Sequence, residues 1–203
     1  MSTIRTALSR DWPGIYRACL QTGDSGKDAT AFFTDPDLLG HVYCGPFVQY
    51  DPELSFVVVD EYGVGGYAMA CADSRAFSEW AERNWWPSLR QQYATTPRTG
   101  RDGEVIALFF DPPTARGSVL SAYPAQMHID LTPRMRGHGH GRAMVTALVE
   151  RLSARGVSGL HLDVSSHNLN AIEFYGHLGF RELERSGSSV FMGRELVPGT
   201  TRG

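Results

Sequence analysis

Lysine is almost missing from this chain: Lys27 is the one lysine among 19 Lys and Arg residues, set against 22 Asp and Glu. The net charge of −3 leaves no basic excess with which to grip a phosphate backbone, which argues against nucleic acid as a partner. Cysteine is scarce too. Cys19, Cys44 and Cys71 are odd in number and lack CxxC spacing, so they read as reduced thiols rather than a disulfide frame or a zinc site. No window approaches ~18 consecutive apolar residues, which excludes a membrane-spanning helix. Residues Met1–Arg10 carry no continuous apolar stretch of the kind a signal peptide needs, so a cytoplasmic location is expected. What remains is ordinary globular composition: 42% hydrophobic and 20% charged over 203 residues, enough to bury a core and expected to form one domain over 1–203.

Periodicity supplies the elements. Ser2–Leu8 reads as a strand, and a helix from Asp11, a good N-cap, runs to Gln21. Asp37–Tyr50 is helical with a break at Gly45-Pro46. Leu54–Val59 and Val64–Cys71, separated by Asp60-Glu61-Tyr62-Gly63, form a hairpin signal. Helical spacing follows from Asp73 to about Tyr93, then a Thr95–Gly103 connector and an apolar segment, Glu104–Phe110, that ends at Pro112-Pro113. Gln126–Leu131 alternates polar and apolar as a half-buried strand does, and Val145, Leu148, Val149 and Leu152 fall on one helix face. A strand at Gly159–Val164, a helix at Asn168–Leu178 stopped by Gly179, and strands near Phe180–Glu184 and Ser189–Glu195 complete the fold. Pro198–Gly203 is expected to be a frayed tail.

The densest chemistry lies in Arg136-Gly137-His138-Gly139-His140-Gly141, between the Gln126–Leu131 strand and the following helix. Glycines let the backbone approach a ligand closely, and the first amides of a helix have no internal partners and favour an anion. A phosphate cradle is the natural reading. A dinucleotide turn competes, because Asp163 follows on the next strand in the manner of a ribose-binding acid. Against it, the glycines are spaced GxGxG, and Thr132–Arg136 separates the strand from Gly137, so the tight turn directly off the strand is missing. No Gly-Lys-Ser/Thr occurs, which removes a Walker loop. His138 and His140 invite a metal, but no third ligand stands nearby, and no metal is expected.

Arg136-x-x-Gly139-x-Gly141 resembles the Gln/Arg-x-x-Gly-x-Gly/Ala signature of the GNAT superfamily of N-acetyltransferases, with Leu131 and Pro133 in the places of that family's V-x-P lead-in. Some thirty residues on, the Asn168–Phe180 segment is similar to the family's N-x-x-A-x-x-x-Y-x-x-x-G-F stretch. A narrower likeness, carried by Phe32–Gly40, Gly66–Met69 and Trp86–Tyr93, is to bacterial homologues of the acetyltransferase-like C-terminal domain of O-GlcNAcase. The resemblance implies an α/β (α+β) fold, a mixed central sheet of six or seven strands flanked by helices. A helical insertion at about 73–123 separates the third and fourth strands, and the cofactor motif spans 131–152.

The same resemblance implies acetyl-CoA as donor and direct attack by an amine of a small molecule or protein, in a monomer or homodimer. The cofactor would be held by Ile129, Asp130 and Leu131 on the strand, by the amides of Arg136, Gly137, His138, Gly139, His140, Gly141 and Arg142, and by Asn168 and Tyr175. Tyr175 matches the family's usual thiol-protonating tyrosine, and a phenol with a pKa of about 10 is a credible donor to a thiolate. A buried core aromatic is the plainer reading of the same residue. Asp163 and Asp130 are the candidate bases, since a carboxylate desolvated in a cleft is tuned toward neutral pH; each could equally be a structural acid. The insertion carries Trp85, Trp86, Tyr93 and Tyr123, which either roof an acceptor pocket or fill a satellite core. A non-catalytic acetyl-CoA-binding sensor or scaffold fits the same loop.

Overall fold

The computed structural model describes residues 1–114 and 117–197; the expected tail at Pro198–Gly203 lies outside them. Seven strands form one sheet: β1 (Thr3–Thr6), β2 (Ser55–Asp60), β3 (Gly63–Cys71), β4 (Ala125–Leu131), β5 (Gly159–Ser165), β6 (Arg181–Ser186) and β7 (Ser189–Glu195), in the spatial order β1-β2-β3-β4-β5-β7-β6. All neighbours are antiparallel except β4 and β5, which run parallel. The helices are α1 (Trp12–Leu20), α2 (Leu38–Tyr43), α3 (Gly45–Tyr50), α4 (Ser74–Asn84), α5 (Trp86–Gln92), α6 (Gly100–Phe110), α7 (Gly117–Ala122), α8 (His140–Ala154) and α9 (Leu169–His177). The insertion between the third and fourth strands is therefore helical, as expected, and consists of α4 to α7.

Successive strand residues point to opposite faces, and both faces of this sheet are covered. Val57, Tyr67, Met69 and Cys71 join the core beneath α1 to α6. Their neighbours Phe56, Val58, Ala68 and Ala70 pack instead with Met144, Leu148 and Leu152 of α8 and Tyr175 of α9. Each fully buried Leu or Met contributes roughly 1.5–3 kcal/mol relative to exposure, so the two aliphatic layers hold the sheet from both sides.

Local departures from expectation have local reasons. Asp11 precedes α1 but its side chain does not cap it; the carboxylate is buried in a two-pronged ion pair with Arg5 and accepts from the Leu8 amide at 2.8 Å. The expected helix from Asp73 to about Tyr93 is two helices, because Pro87 at the start of α5 has no N–H with which to continue α4 and the chain turns at Trp85. The Thr95–Gly103 connector is shorter than expected, since α6 already begins at Gly100.

Candidate active site

The parallel pair β4–β5 is bonded only at its start, Ala125 opposite Leu160 and Gln126 opposite His161. Beyond that point the strands part, and other partners fix each in place. Thr132 holds the end of β4 on β3, its amide and hydroxyl both donating to the Gly65 carbonyl at 2.9 and 2.6 Å. β5 stays paired with β7 along its whole length, from Gly159 to Ser165. Because Thr132 turns its amide to β3, the ladder's alternation turns the peptide groups of Ile129 and Leu131 into the gap. An interior slot with unpaired backbone edges results, a demand that a bound molecule with amide groups can meet.

The glycine loop stands at the mouth of this slot. Buried Met135 anchors a short turn, Pro133–Met135, and Gly137 and Gly139 then take φ values of +78° and +79°, a left-handed backbone that side chains resist. Nothing lies within 4 Å of where a Cβ would sit on either glycine. Gly139 is the N-cap of α8 without a side-chain cap, and the amides from Gly137 to Arg142 have no hydrogen-bond acceptor among the described residues. This is an anion cradle of open amides at the positive end of a helix dipole. The rings of exposed His138 and half-buried His140 lie 5.9 Å apart, with His140 Nε2 2.9 Å from Ser2 Oγ, and no metal-binding cluster occurs among the described residues.

Arg136 braces the loop instead of presenting an open donor. Its amide closes the turn onto the Pro133 carbonyl, Nε donates to the Leu131 carbonyl at 2.8 Å, and Nη2 donates to the Gly26 carbonyl at 2.6 Å. Gly26 belongs to a tight turn, Asp24 bridged to Lys27, that lies beside both Arg136 and Asn168 and so spans the gap beyond the ends of β4 and β5. Asn168 caps α9, its side chain accepting from the Ala171 amide at 3.2 Å.

On the insertion side of the sheet, β4 presents Gln126, His128 and Asp130. His128 is stacked between Tyr43 and Tyr67, with ring centroids 5.5 and 5.7 Å away. The Tyr67 hydroxyl donates to Asp130 Oδ2 at 2.6 Å and lies 3.2 Å from His128 Nδ1. Since its one proton is committed to the carboxylate, the tyrosine oxygen accepts from Nδ1–H, and Nε2 is left with the free lone pair. Burial holds the His128 pKa below the usual imidazole value, so the ring is neutral at pH 7, while the Asp130 charge opposes that shift. Burial raises the Asp130 pKa, partly countered by His128. Asp163, on β5, is exposed and accepts from Ser189 Oγ at 3.1 Å; desolvation raises its pKa as well. Neither His128 nor Tyr67 stands out in the sequence, although His128 shares a strand face with Asp130 by simple period-two counting.

Tyr175 sits on the opposite face of the sheet, 8% exposed, among Phe174 and Phe180. Its hydroxyl has no hydrogen-bond partner among the described residues. Burial, then the charge of Asp130, raises its pKa and keeps it protonated.

A cavity of about 480 Å³ opens against this wall, lined by His128 and Asp163 and by Tyr43, Phe47, Phe77 and Trp86 among others. Of the four aromatic residues expected over the acceptor, only Trp86 lines it. Trp85 turns away and donates Nε1–H to the His41 carbonyl at 2.9 Å. Tyr93 is buried against Phe109 and donates to Asp35 at 2.7 Å. Tyr123 is buried at the closed end of the β4–β5 pair, its carbonyl 2.7 Å from His161 Nδ1 and its hydroxyl accepting from Arg181 at 2.8 Å.

Residues 7–180 match the family model described as the acetyltransferase (GNAT) family. The chain belongs to the GNAT family. This GNAT acetyltransferase is 26% identical over 203 residues to the protein O-GlcNAcase of Rattus norvegicus, a match covering 96% of this chain but only 22% of that protein's length. It is 29% identical over 103 residues to the [ribosomal protein bS18]-alanine N-acetyltransferase of Escherichia coli K12, covering 51% of this chain and 65% of that one. The crystal structure of SsHAT superposes with a TM-score of 0.89 at 32% identity, over 96% of this chain and 98% of the other. A phosphinothricin acetyltransferase from Sinorhizobium meliloti, solved in complex with AcCoA, shares the GNAT fold at a TM-score of 0.55 and 19% identity, covering 100% of this chain and 92% of that one. No described helix is long and apolar enough to cross a membrane.

Proposed function

We propose that this GNAT protein transfers acetyl from acetyl-CoA to a primary amine seated in the cavity beside β4 and β5. The observation that carries the reading is the convergence of three features at one slot. Unpaired backbone edges of β4 and β5, open amides from Gly137 to Arg142, and a neutral imidazole with a free lone pair all meet there.

The chain fits the cofactor on its own geometry. The diphosphate matches the Gly137–Arg142 amides, where the two open glycines leave space for it, and the amide-bearing arm matches the peptide groups of Ile129 and Leu131. The Leu131 carbonyl is already engaged by Arg136, so Ile129 supplies the freer acceptor. When bound, acetyl-CoA supplies an acetyl group activated as a thioester.

This chain's residues handle the protons. His128 Nε2 takes a proton from the incoming ammonium, which makes the nitrogen nucleophilic; the Tyr175 hydroxyl gives one to the departing thiolate and is restored by the second proton that the nitrogen loses as the amide forms. Asp130 acts through Tyr67 and His128: it fixes the tautomer that leaves Nε2 basic and steadies the imidazolium once formed. Asp163 faces the same cavity and attracts the ammonium head.

The test is calorimetry with coenzyme A followed by turnover of acetyl-CoA on a panel of amines. Binding together with amine-dependent thiol release supports the reading. Binding with no turnover on any amine would leave a cofactor-sensing module instead, and the absence of binding at millimolar coenzyme A would end both.

A further inference from the structure

The acceptor cavity is unlike its surroundings. In a chain whose basic residues are almost all arginine, no Arg or Lys is among the described residues that line it. Its walls are mostly aromatic and apolar: Tyr43, Phe47, Phe77, Trp86 and Phe191 stand around a space of about 480 Å³, in the range of small-molecule sites. Three carboxylates line it, and they are not equivalent. Glu82 is held by both guanidinium nitrogens of Arg90, and Glu79 lies 3.8 Å from Arg83 with both side chains in solvent. Asp163 accepts from the Ser189 hydroxyl and lies near the neutral His128 and Tyr43, with no cationic partner among the described residues.

We infer that the acceptor is a small primary amine carried on a ring-sized apolar body and bearing no anionic group, its ammonium directed to Asp163 and His128. This rests on the acetyl-transfer reading above and narrows it. A free amino acid is disfavoured because its carboxylate would enter a largely apolar cavity lined by three carboxylates, with no cation among the described residues that line it. A purely polar amine is disfavoured because it would leave the aromatic walls unfilled. An ammonium near aromatic faces, by contrast, gains from their negative quadrupole as well as from Asp163.

The test compares 2-phenylethylamine, phenylalanine, ethanolamine and 2-phenylethanol by calorimetry on the protein saturated with coenzyme A, with a peptide bearing an N-terminal phenylalanine as a further arm. The expectation is at least tenfold tighter binding of 2-phenylethylamine than of phenylalanine, ethanolamine or the peptide. D163N should weaken 2-phenylethylamine by about tenfold while leaving the neutral 2-phenylethanol unchanged. Ser78 is exposed on α4 and lines the cavity, so S78R adds a cation without disturbing the core and should turn the preference toward phenylalanine. The thermal shift with coenzyme A checks that both variants are folded. Equal affinities across the panel, preference for the peptide, or a D163N effect equal on amine and alcohol would each overturn the inference. Acetylation of other amines in a separate assay with acetyl-CoA would leave the acetyl-transfer reading standing.

Discussion

At the scale of single residues, the proposed chemistry rests on one imidazole and its neighbours. His128→Gln removes the proton acceptor and should lower kcat by on the order of 10²-fold or more, with coenzyme A affinity intact. Tyr175→Phe should cost turnover while sparing cofactor affinity, because the ring is kept and only the proposed proton donor is lost. Asp130→Asn makes two signed predictions. The Asp130 charge raises the His128 pKa, so its removal should move the acid limb of the rate profile to lower pH, an effect that a merely structural role would not produce. The carboxylate itself has a folded pKa raised by burial, so its favourable contribution is present below the unfolded value and lost as pH rises through the folded one. D130N should therefore melt higher than the parent at neutral pH, with the difference closing in acid, as thermal scans across pH would report. Asp130 and Asp163 were visible in the sequence as strand acids near a glycine loop. His128 was not, because a histidine at the polar position of an alternating strand looks like any solvent-facing residue. Only the stacking of Tyr43 and Tyr67 around it, from elements distant in sequence, gives it a fixed tautomer and a lowered pKa.

At the scale of elements, the decisive junction is the loop into α8. Strand, loop and helix were legible because the period changes from two to 3.6 across a run of alternating glycines. The dry side of that junction was not. A Cβ on Gly141 would lie 3.0 Å from Phe174 and 3.2 Å from Leu131, so this glycine lets α8 approach α9 and the end of β4. Gly141→Leu should destabilise by about 1–3 kcal/mol through overpacking, seen as a lower urea midpoint at unchanged slope. Gly139→Trp differs in kind: the open space there spares the core, so beyond about 1–2 kcal/mol of backbone strain at φ +79° the expected loss is of coenzyme A binding. Within the insertion, the sequence could not decide between Trp85 and Trp86. Adjacent residues on a helix face about 100° apart, and the break at Pro87 sets which ring reaches the cavity.

At the scale of the molecule, both layers of helices converge on a sheet whose central pair is left half unzipped. Strand number and helical insertion followed from the resemblance, but the parting of β4 and β5 after two paired residues is a property of the assembled sheet that no window of sequence contains. Filling that gap should stabilise the whole fold. A hundredfold excess of coenzyme A over its Kd contributes about 2.7 kcal/mol, or a rise of about 5–10 °C in Tm for a chain of this size. The turn that spans the same gap carries the chain's lone lysine, Lys27, next to the Gly26 carbonyl held by Arg136. An amine-directed mass tag therefore has one side chain to modify, and its labelling rate with and without coenzyme A is a built-in gauge of what happens at the doorway.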